Sequence, residues 1–229
     1  MNKLIKLIAF DGDDTLWANM SFYLEAVEKI KTILGKYTDM TSIPRDVYET
    51  ETENLSVLGY GTKSFIISMI EAAIKVTSQK IHPKEIQEII TIGKSLMNLP
   101  VELLPNIRKV VADLSSDNSL MILTKGDLFE QKSKILRSGL LDYFKYIEIV
   151  SEKDEQTYSE ILEKYNIEPE NFLMIGNSLK SDILPVLNIG ANAVYIPHNA
   201  VWYHEEVSGD VQKEYYEIND IRELPGLLG

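Results

Sequence analysis

Residues 4–10 form a short, almost continuous apolar run that stops abruptly at Asp11-Gly12-Asp13-Asp14. Parallel sheets covered by helices on both faces read as continuous apolar runs rather than alternating ones, so this run predicts a strand buried on both faces and ending at a polar edge. From Ser21 to about Asn98 the period becomes helical. Leu24, Val27, Ile30, Ile33 and Leu34 share one face, followed by Phe65, Met69, Ala72, Ala73 and Val76, and no convincing strand interrupts. Pro44, Gly59, Gly61 and Pro83 punctuate this stretch and predict four helices, an all-helical insert.

Pro100 and Pro105 bracket the return of the α/β pattern. A helix carrying Ile107, Val110, Val111 and Leu114 leads to a strand at 120–123. A helix at 128–137 closing at Gly139, a strand at 146–150, a helix at 157–165 and a strand at 172–175 follow. A helix at 182–188 capped by Gly190, a strand at 193–196, and a last short strand and helix within 215–229 complete the pattern. Strands alternating with helices predict a parallel sheet of the α/β class, with the core at 1–17 and 100–229 and the insert at 18–99.

Composition narrows the function classes. A chain of 229 residues exceeds the usual single-domain size of about 100 to 150 without reaching two full domains, which suits one core and one smaller module. With 45% hydrophobic and 25% charged residues and no biased tract, disordered, collagen-like and coiled-coil readings are poor. The net charge of -12 repels nucleic-acid phosphates and anionic lipid, so neither nucleic acid nor a membrane surface is an expected partner. No apolar stretch approaches the roughly 20 residues needed to span a bilayer. The start lacks a signal-peptide cleavage pattern, and the expectation is a soluble cytoplasmic protein of unspecified oligomeric state. The absence of cysteine excludes a disulfide framework, a thiolate zinc site and a cysteine nucleophile.

Ligands of open parallel sheets gather beyond the carboxyl ends of the strands. Asp11, Asp13, Asp14 and Thr15 follow the first strand; Thr124, Lys125 and Gly126 the second; Ser151, Lys153 and Asp154 the third; Gly176, Asn177, Ser178 and Asp182 the fourth. Carboxylates crowded on one edge need a cation between them, and an all-oxygen set without histidine or cysteine suits magnesium, which usually brings a phosphate. Asp11, ionised at neutral pH, is placed to attack phosphorus and become an aspartyl phosphate. Asp13 is placed to protonate the departing alcohol and then deprotonate the hydrolytic water. Thr124 and Lys153 would hold the non-bridging oxygens, with backbone amides near Gly12 and Lys125 as further donors.

Together these segments resemble the haloacid dehalogenase superfamily in its phosphatase branch. Asp11-Gly12-Asp13-Asp14-Thr15 resembles its DxDxT motif, Thr124 the Ser or Thr of its second motif, Lys153 the lysine of its third, and Gly176 to Asp182 the acidic stretch of its fourth. The insert matches the family's first cap type in position and helicity. The resemblance implies a Rossmann-like, three-layer α/β/α core, a helical cap that opens and closes over a small phosphorylated substrate, and a magnesium cofactor held by Asp11, Asp13, Asn177 and Asp182. One departure is Asn177, where the family commonly has aspartate: a neutral amide oxygen still coordinates a hard cation, but with less charge. Alternatives are a phosphosugar mutase, a 2-haloacid dehalogenase, which Asp13 disfavours, and a binding protein that kept the fold without turnover.

The remaining features have bland readings. DxDxT alone is also a helix-capping turn. Lys153 sits in a charged run that suits a solvated helix start; Asp14 is expected to orient its loop. His82, His198 and His204 lack helical ligand spacing. Trp17 is expected as a hinge contact or substrate wall, and His198 with Trp202 as rim or packing residues. Gly59 to Ser64 looks superficially like a phosphate loop but is expected as an interhelical turn, since no strand precedes it.

Overall fold

In the computed structural model, which describes residues 4–198 and 215–228, the chain divides into two units, Met1–Ala18 with Val101–Gly229, and Asn19–Pro100. The chain runs through β1 (Leu7–Phe10), then α1 (Met20–Leu34), α2 (Ile43–Leu58), α3 (Thr62–Val76) and α4 (Pro83–Met97). It continues through α5 (Ile107–Ser115), β2 (Ser119–Lys125), α6 (Leu128–Ser138), β3 (Tyr146–Val150), α7 (Glu155–Tyr165) and β4 (Phe172–Gly176). The last elements are α8 (Leu184–Asn188), β5 (Asn192–Tyr195), β6 (Tyr216–Glu217) and α9 (Leu224–Leu228).

The strands of the first unit form a six-stranded sheet in the order β3-β2-β1-β4-β5-β6, with every neighbouring pair parallel. The α/β expectation is met. β1 starts at Leu7 rather than residue 4, because its partners Ser119 and Phe172 begin there and Leu4 is exposed. Alternate side chains feed two cores. Ile8, Phe10, Leu120, Ile122, Leu173 and Ile175 pack with α5 and α9 on one face. Leu7, Ala9, Met121, Leu123, Phe172 and Met174 pack with α7 and α8 on the other. Full burial of side chains this size contributes about 1.5 to 3 kcal/mol each, which makes β1, paired on both sides, the sheet's rigid axis. Sequence order also diverges beside β1, towards β2 on one side and β4 on the other. Phe10 pairs with Ile122 and Ile175, so Asp11 emerges where an open α/β sheet forms its ligand crevice.

The chain leaves and re-enters this unit at adjoining points. Ala18 N–H donates to the Glu102 carbonyl at 2.9 Å, and Trp17 bridges Leu103. An insertion whose ends already meet adds little loop-closure cost.

The second unit contains α1 to α4, as the periodicity predicts. Gly59 and Gly61 adopt positive φ between α2 and α3, so the glycine-rich segment is a turn. His82 caps α4, its Nδ1 accepting from the Lys84 amide. Asn54 on α2 donates to Ser68 and Glu71 on α3 at 3.1 and 2.8 Å. Glu51 on α2 is buried, and burial raises its carboxyl from the ordinary 4.5 to about 7. Below pH 4.5 this group is neutral in both folded and unfolded chains; between 4.5 and about 7 only the unfolded chain ionises, so stability falls across that window and stays lower above it. The expected outcome for Glu51→Gln is a variant similar to the parent near pH 4.5 and more stable by about 1 to 3 kcal/mol at pH 8. Denaturant unfolding at both pH values checks it, and an equal effect at both contradicts the assignment to ionisation.

Candidate active site

The loop after β1 is shaped by one carbonyl and one absent side chain. The Gly12 carbonyl accepts from the amides of Leu16, Trp17 and Thr15 at 2.8, 3.2 and 3.3 Å, folding the motif back on itself. Asp14, at φ 59, takes the left-handed conformation tolerated by Asp, and its N–H donates to the Trp17 carbonyl at 2.7 Å. A Cβ on Gly12 would lie 2.7 Å from Trp17 Cζ2 and 3.1 Å from Thr124 Oγ1, so only glycine fits between them. Asp14 is buried and His198 Nε2 lies 3.8 Å from its Oδ1. His204 and Trp202 fall outside the described residues.

Lys153, from the loop between β3 and α7, is 4% exposed, and its Nζ donates to Asp11 Oδ1 and Asp182 Oδ1 at 2.6 Å each. Burial opposes the ammonium, but the two carboxylates outweigh it and raise the lysine pKa. Burial pushes the Asp11 carboxyl up to about 7 against the pull of Lys153, and the charges of Asp182 and Asp13 add to the rise. Asp182 reaches this position through a π-helical turn, Leu179–Ile183, where a regular helix from residue 182 was expected. Ser178 starts the turn by accepting from the Ser181 amide, and its own N–H donates to Asp182 Oδ2 at 3.0 Å. A Cβ on Gly176 would lie 2.2 Å from that oxygen, which explains the glycine at the end of β4.

Thr124 Oγ1, at the end of β2, is buried and has no hydrogen-bond partner among the described residues. Buried hydroxyls are nearly always paired, so an orphan beside a crevice marks a place for a ligand acceptor. Lys125 Nζ instead reaches Glu152 Oε1 at 3.2 Å and Ser181 Oγ at 3.1 Å.

The Asp13 carboxylate faces a different set of donors. Trp17 Nε1 donates to Oδ1 at 2.6 Å, Gln131 Nε2 to Oδ2 at 2.8 Å, and Lys134 Nζ to both oxygens at 3.0 Å. Gln131 and Lys134, both on α6, were not legible in the sequence, and Trp17 is buried. An i, i+4 pair of Glu130 and Lys134 beside Gln131 was the available signal.

One terminal atom of the Asn177 amide lies 3.0 Å from Thr15 Oγ1, 3.1 Å from the Asp13 carbonyl and 3.3 Å from Asp11 Oδ2. With nitrogen there, the two amide hydrogens have all three as acceptors within reach; with oxygen there, it converges with the Asp13 carbonyl and Asp11 Oδ2 into a hard donor set that fits a divalent cation. The set is mixed, since among the described residues no three His, Cys, Asp or Glu side chains are grouped to hold a metal. The carboxylate oxygens of Asp13 face α6 and Trp17, and those of Asp182 face Lys153 and Ser178.

A Rossmann-like sheet with a carboxylate at the tip of a central strand, clasped by a lysine that follows β3 and a second acid that follows β4, defines a class of hydrolase. The chain belongs to the haloacid dehalogenase-like hydrolases, whose family model matches residues 5–190. The curated relatives it matches are named as phosphatases. The glyceraldehyde 3-phosphate phosphatase of Pyrococcus furiosus is 31% identical over 54% of this chain and 52% of its own, so that match spans about half of either protein. The N-acylneuraminate-9-phosphatase of Mus musculus is 26% identical over 98% of this chain and 94% of its own. The solved structure of a haloacid dehalogenase-like family hydrolase from Xanthomonas campestris is 40% identical, with a TM-score of 0.88 over 99% of this chain and 91% of that one. Among the described residues, no helix is long and apolar enough to cross a membrane.

The close seat of Asp182 on Gly176 gives a direct test of how the site is built. Gly176→Ala places a methyl group against a buried carboxylate oxygen and is expected to cost about 1 to 3 kcal/mol by overpacking. Denaturant unfolding measures it, and a change within 0.5 kcal/mol, the usual scatter of neutral substitutions, contradicts the close packing.

Proposed function

We propose that this protein is a magnesium-dependent phosphomonoester hydrolase that acts on a small phosphorylated metabolite through a phosphorylated Asp11. The observation that carries the reading is the buried Lys153 ammonium on Asp11, next to the orphan Thr124 hydroxyl: a carboxylate nucleophile with two groups suited to phosphoryl oxygens beside it. A carboxylate of Asp11 attacks phosphorus, the ester P–O bond breaks, and the departing alcohol oxygen takes a proton from the Asp13 carboxyl. Water then attacks phosphorus, Asp13 takes its proton, and the bond between phosphorus and Asp11 breaks to release inorganic phosphate and restore the carboxylate. General acid-base assistance of this kind is worth roughly 100- to 10,000-fold in rate. Thr124 Oγ–H and Lys153 Nζ donate to the non-bridging oxygens, and the amides near Gly12 and Lys125 add donors.

The residues that would hold magnesium are Asp11 through Oδ2, Asp13 through its main-chain carbonyl and Asn177 through its amide oxygen, with Asp182 acting through Lys153. The ion supplies positive charge that lowers the repulsion between the Asp11 carboxylate and the phosphoryl group. The named relatives support a small phosphomonoester as substrate class.

Asp11→Asn is expected to abolish phosphate release, below about one part in 10,000 of the parent rate, while the protein still folds, because Asp182 keeps its bond to Lys153. A magnesium-dependent screen of phosphorylated metabolites with phosphate detection provides the assay, and parental turnover by the variant removes the nucleophile assignment. For Asn177→Asp, the added charge is expected to lower the magnesium concentration for half-maximal binding about 10-fold, read by calorimetric titration. An unchanged or weaker affinity contradicts the donor set.

A further inference from the structure

We propose that the Lys125 side chain is a positioning residue: it ties together the two chain segments that carry Lys153 and Asp182, and so sets where the Lys153 ammonium meets a phosphoryl oxygen. The inference rests on the phosphoryl-binding role of Lys153 stated above, but its evidence lies one residue away from each ion. Lys125 ends β2, and its side chain is 12% exposed. Its Nζ reaches Glu152 Oε1 at 3.2 Å, after β3, and donates to Ser181 Oγ at 3.1 Å, in the turn after β4. Glu152 immediately precedes Lys153, and Ser181 immediately precedes Asp182. One ammonium therefore joins the two segments whose next residues form the buried ion pair.

Each arm of the bridge is continued by other bonds. Glu152 Oε1 also accepts from the Lys153 amide at 3.2 Å, so Lys125 steadies a carboxylate that in turn steadies the Lys153 main chain. Ser181 is held from two further sides, its amide donating to Ser178 Oγ at 3.0 Å and its carbonyl accepting from the buried Tyr158 hydroxyl at 2.9 Å. The Lys125 carbonyl accepts from Gln131 Nε2 at 3.1 Å, which anchors the bridge at its base. Because the Glu152 side chain is 48% exposed, the ion pair it makes with Lys125 contributes little to stability. Its consequence is placement. Misplacement of a reacting or binding group by about 1 Å can cost 100-fold in rate. The proposed magnesium donors, Asp11 Oδ2, the Asp13 carbonyl and the Asn177 amide, lie outside the residues that Lys125 ties together.

The expected result is a split between two affinities. Tungstate, a tetrahedral dianion that stands in for phosphate, reports on the donors to phosphoryl oxygens, and magnesium alone reports on the cation donors. Calorimetric titration of the full chain reads both, with tungstate added at saturating magnesium. Lys125→Met is expected to weaken tungstate binding about 10-fold, to leave magnesium affinity within about 2-fold, and to lower kcat/KM for phosphomonoesters about 10- to 100-fold. Parental tungstate affinity overturns the inference, and so does an equal loss of both affinities, which a general loosening of the fold would give. Thr124→Val, which removes the orphan hydroxyl without changing the shape of the side chain, is the reference. If both variants keep the parental tungstate affinity, the phosphoryl reading of the crevice fails and the inference with it; if Thr124→Val loses affinity while Lys125→Met keeps it, only the positioning role fails. Should Lys125→Met not fold, Ser181→Ala removes the arm to the turn and is expected to show the same split; parental tungstate affinity or equal losses again overturn the inference.

Discussion

A single ammonium, that of Lys153, holds the business end of the sheet together. It is buried between Asp11 at the tip of β1 and Asp182 in the turn after β4, at 2.6 Å from each. Buried ions are tolerable only with near-ideal geometry, since desolvation costs several kcal/mol per ion and removing one partner strands the others. The constraint reaches outward through the fold. Parallel register must bring Phe10 level with Ile175, β4 must end in glycine so that Asp182 can lie against it, and the chain must open into a wide turn to swing that carboxylate inward. π-helical turns are often found at such functional positions.

The two aspartates of the first motif are only two residues apart but meet different lysines. Asp11 is clasped by Lys153, which precedes α7 on one face of the sheet, and Asp13 by Lys134 on α6, a helix whose Ile135 packs into the core of the other face. The backward fold of the loop around the Gly12 carbonyl turns the second side chain away from the first. Neighbouring carboxylates given separate surroundings can take separate roles, which acid-base chemistry at one centre requires. The sheet supplies rigidity to one and a crossover helix supplies it to the other.

Much of this was legible in the sequence, and the omissions share a cause. Strand ends could be read because parallel strands buried on both faces announce themselves as apolar runs, and Asp11, Thr124, Lys153 and Asn177 stand directly after such runs or a few residues on. Gln131 and Lys134 could not be read in the same way. Helix reading assumes that apolar residues face inward, and in α6 Leu128, Phe129 and Leu136 face solvent while Glu130 and Gln131 are buried. The turn at Leu179–Ile183 was hidden for a related reason: its shape follows from a carboxylate accepting the Ser178 amide, a tertiary demand that local propensity does not encode. Asp13 was legible as an acid, but its donors lie on α6 and in Trp17, and no spacing rule connects them.

Asn177 shows how a neutral side chain can serve a charged site. A carboxylate at this position would add a third acid beside Asp11 and Asp182, with Lys153 as the ammonium bonded to that pair, and like charges this close raise one another's protonation. An amide carries no such penalty. Its nitrogen can donate to Asp11 Oδ2, the Asp13 carbonyl and Thr15, and a half-turn about its last bond presents oxygen to the same point in space. The amide therefore trades charge for a group that satisfies its neighbours through its nitrogen and can offer its oxygen at the same point to a cation, and the pocket's geometry is set by hydrogen bonds that the chain itself provides.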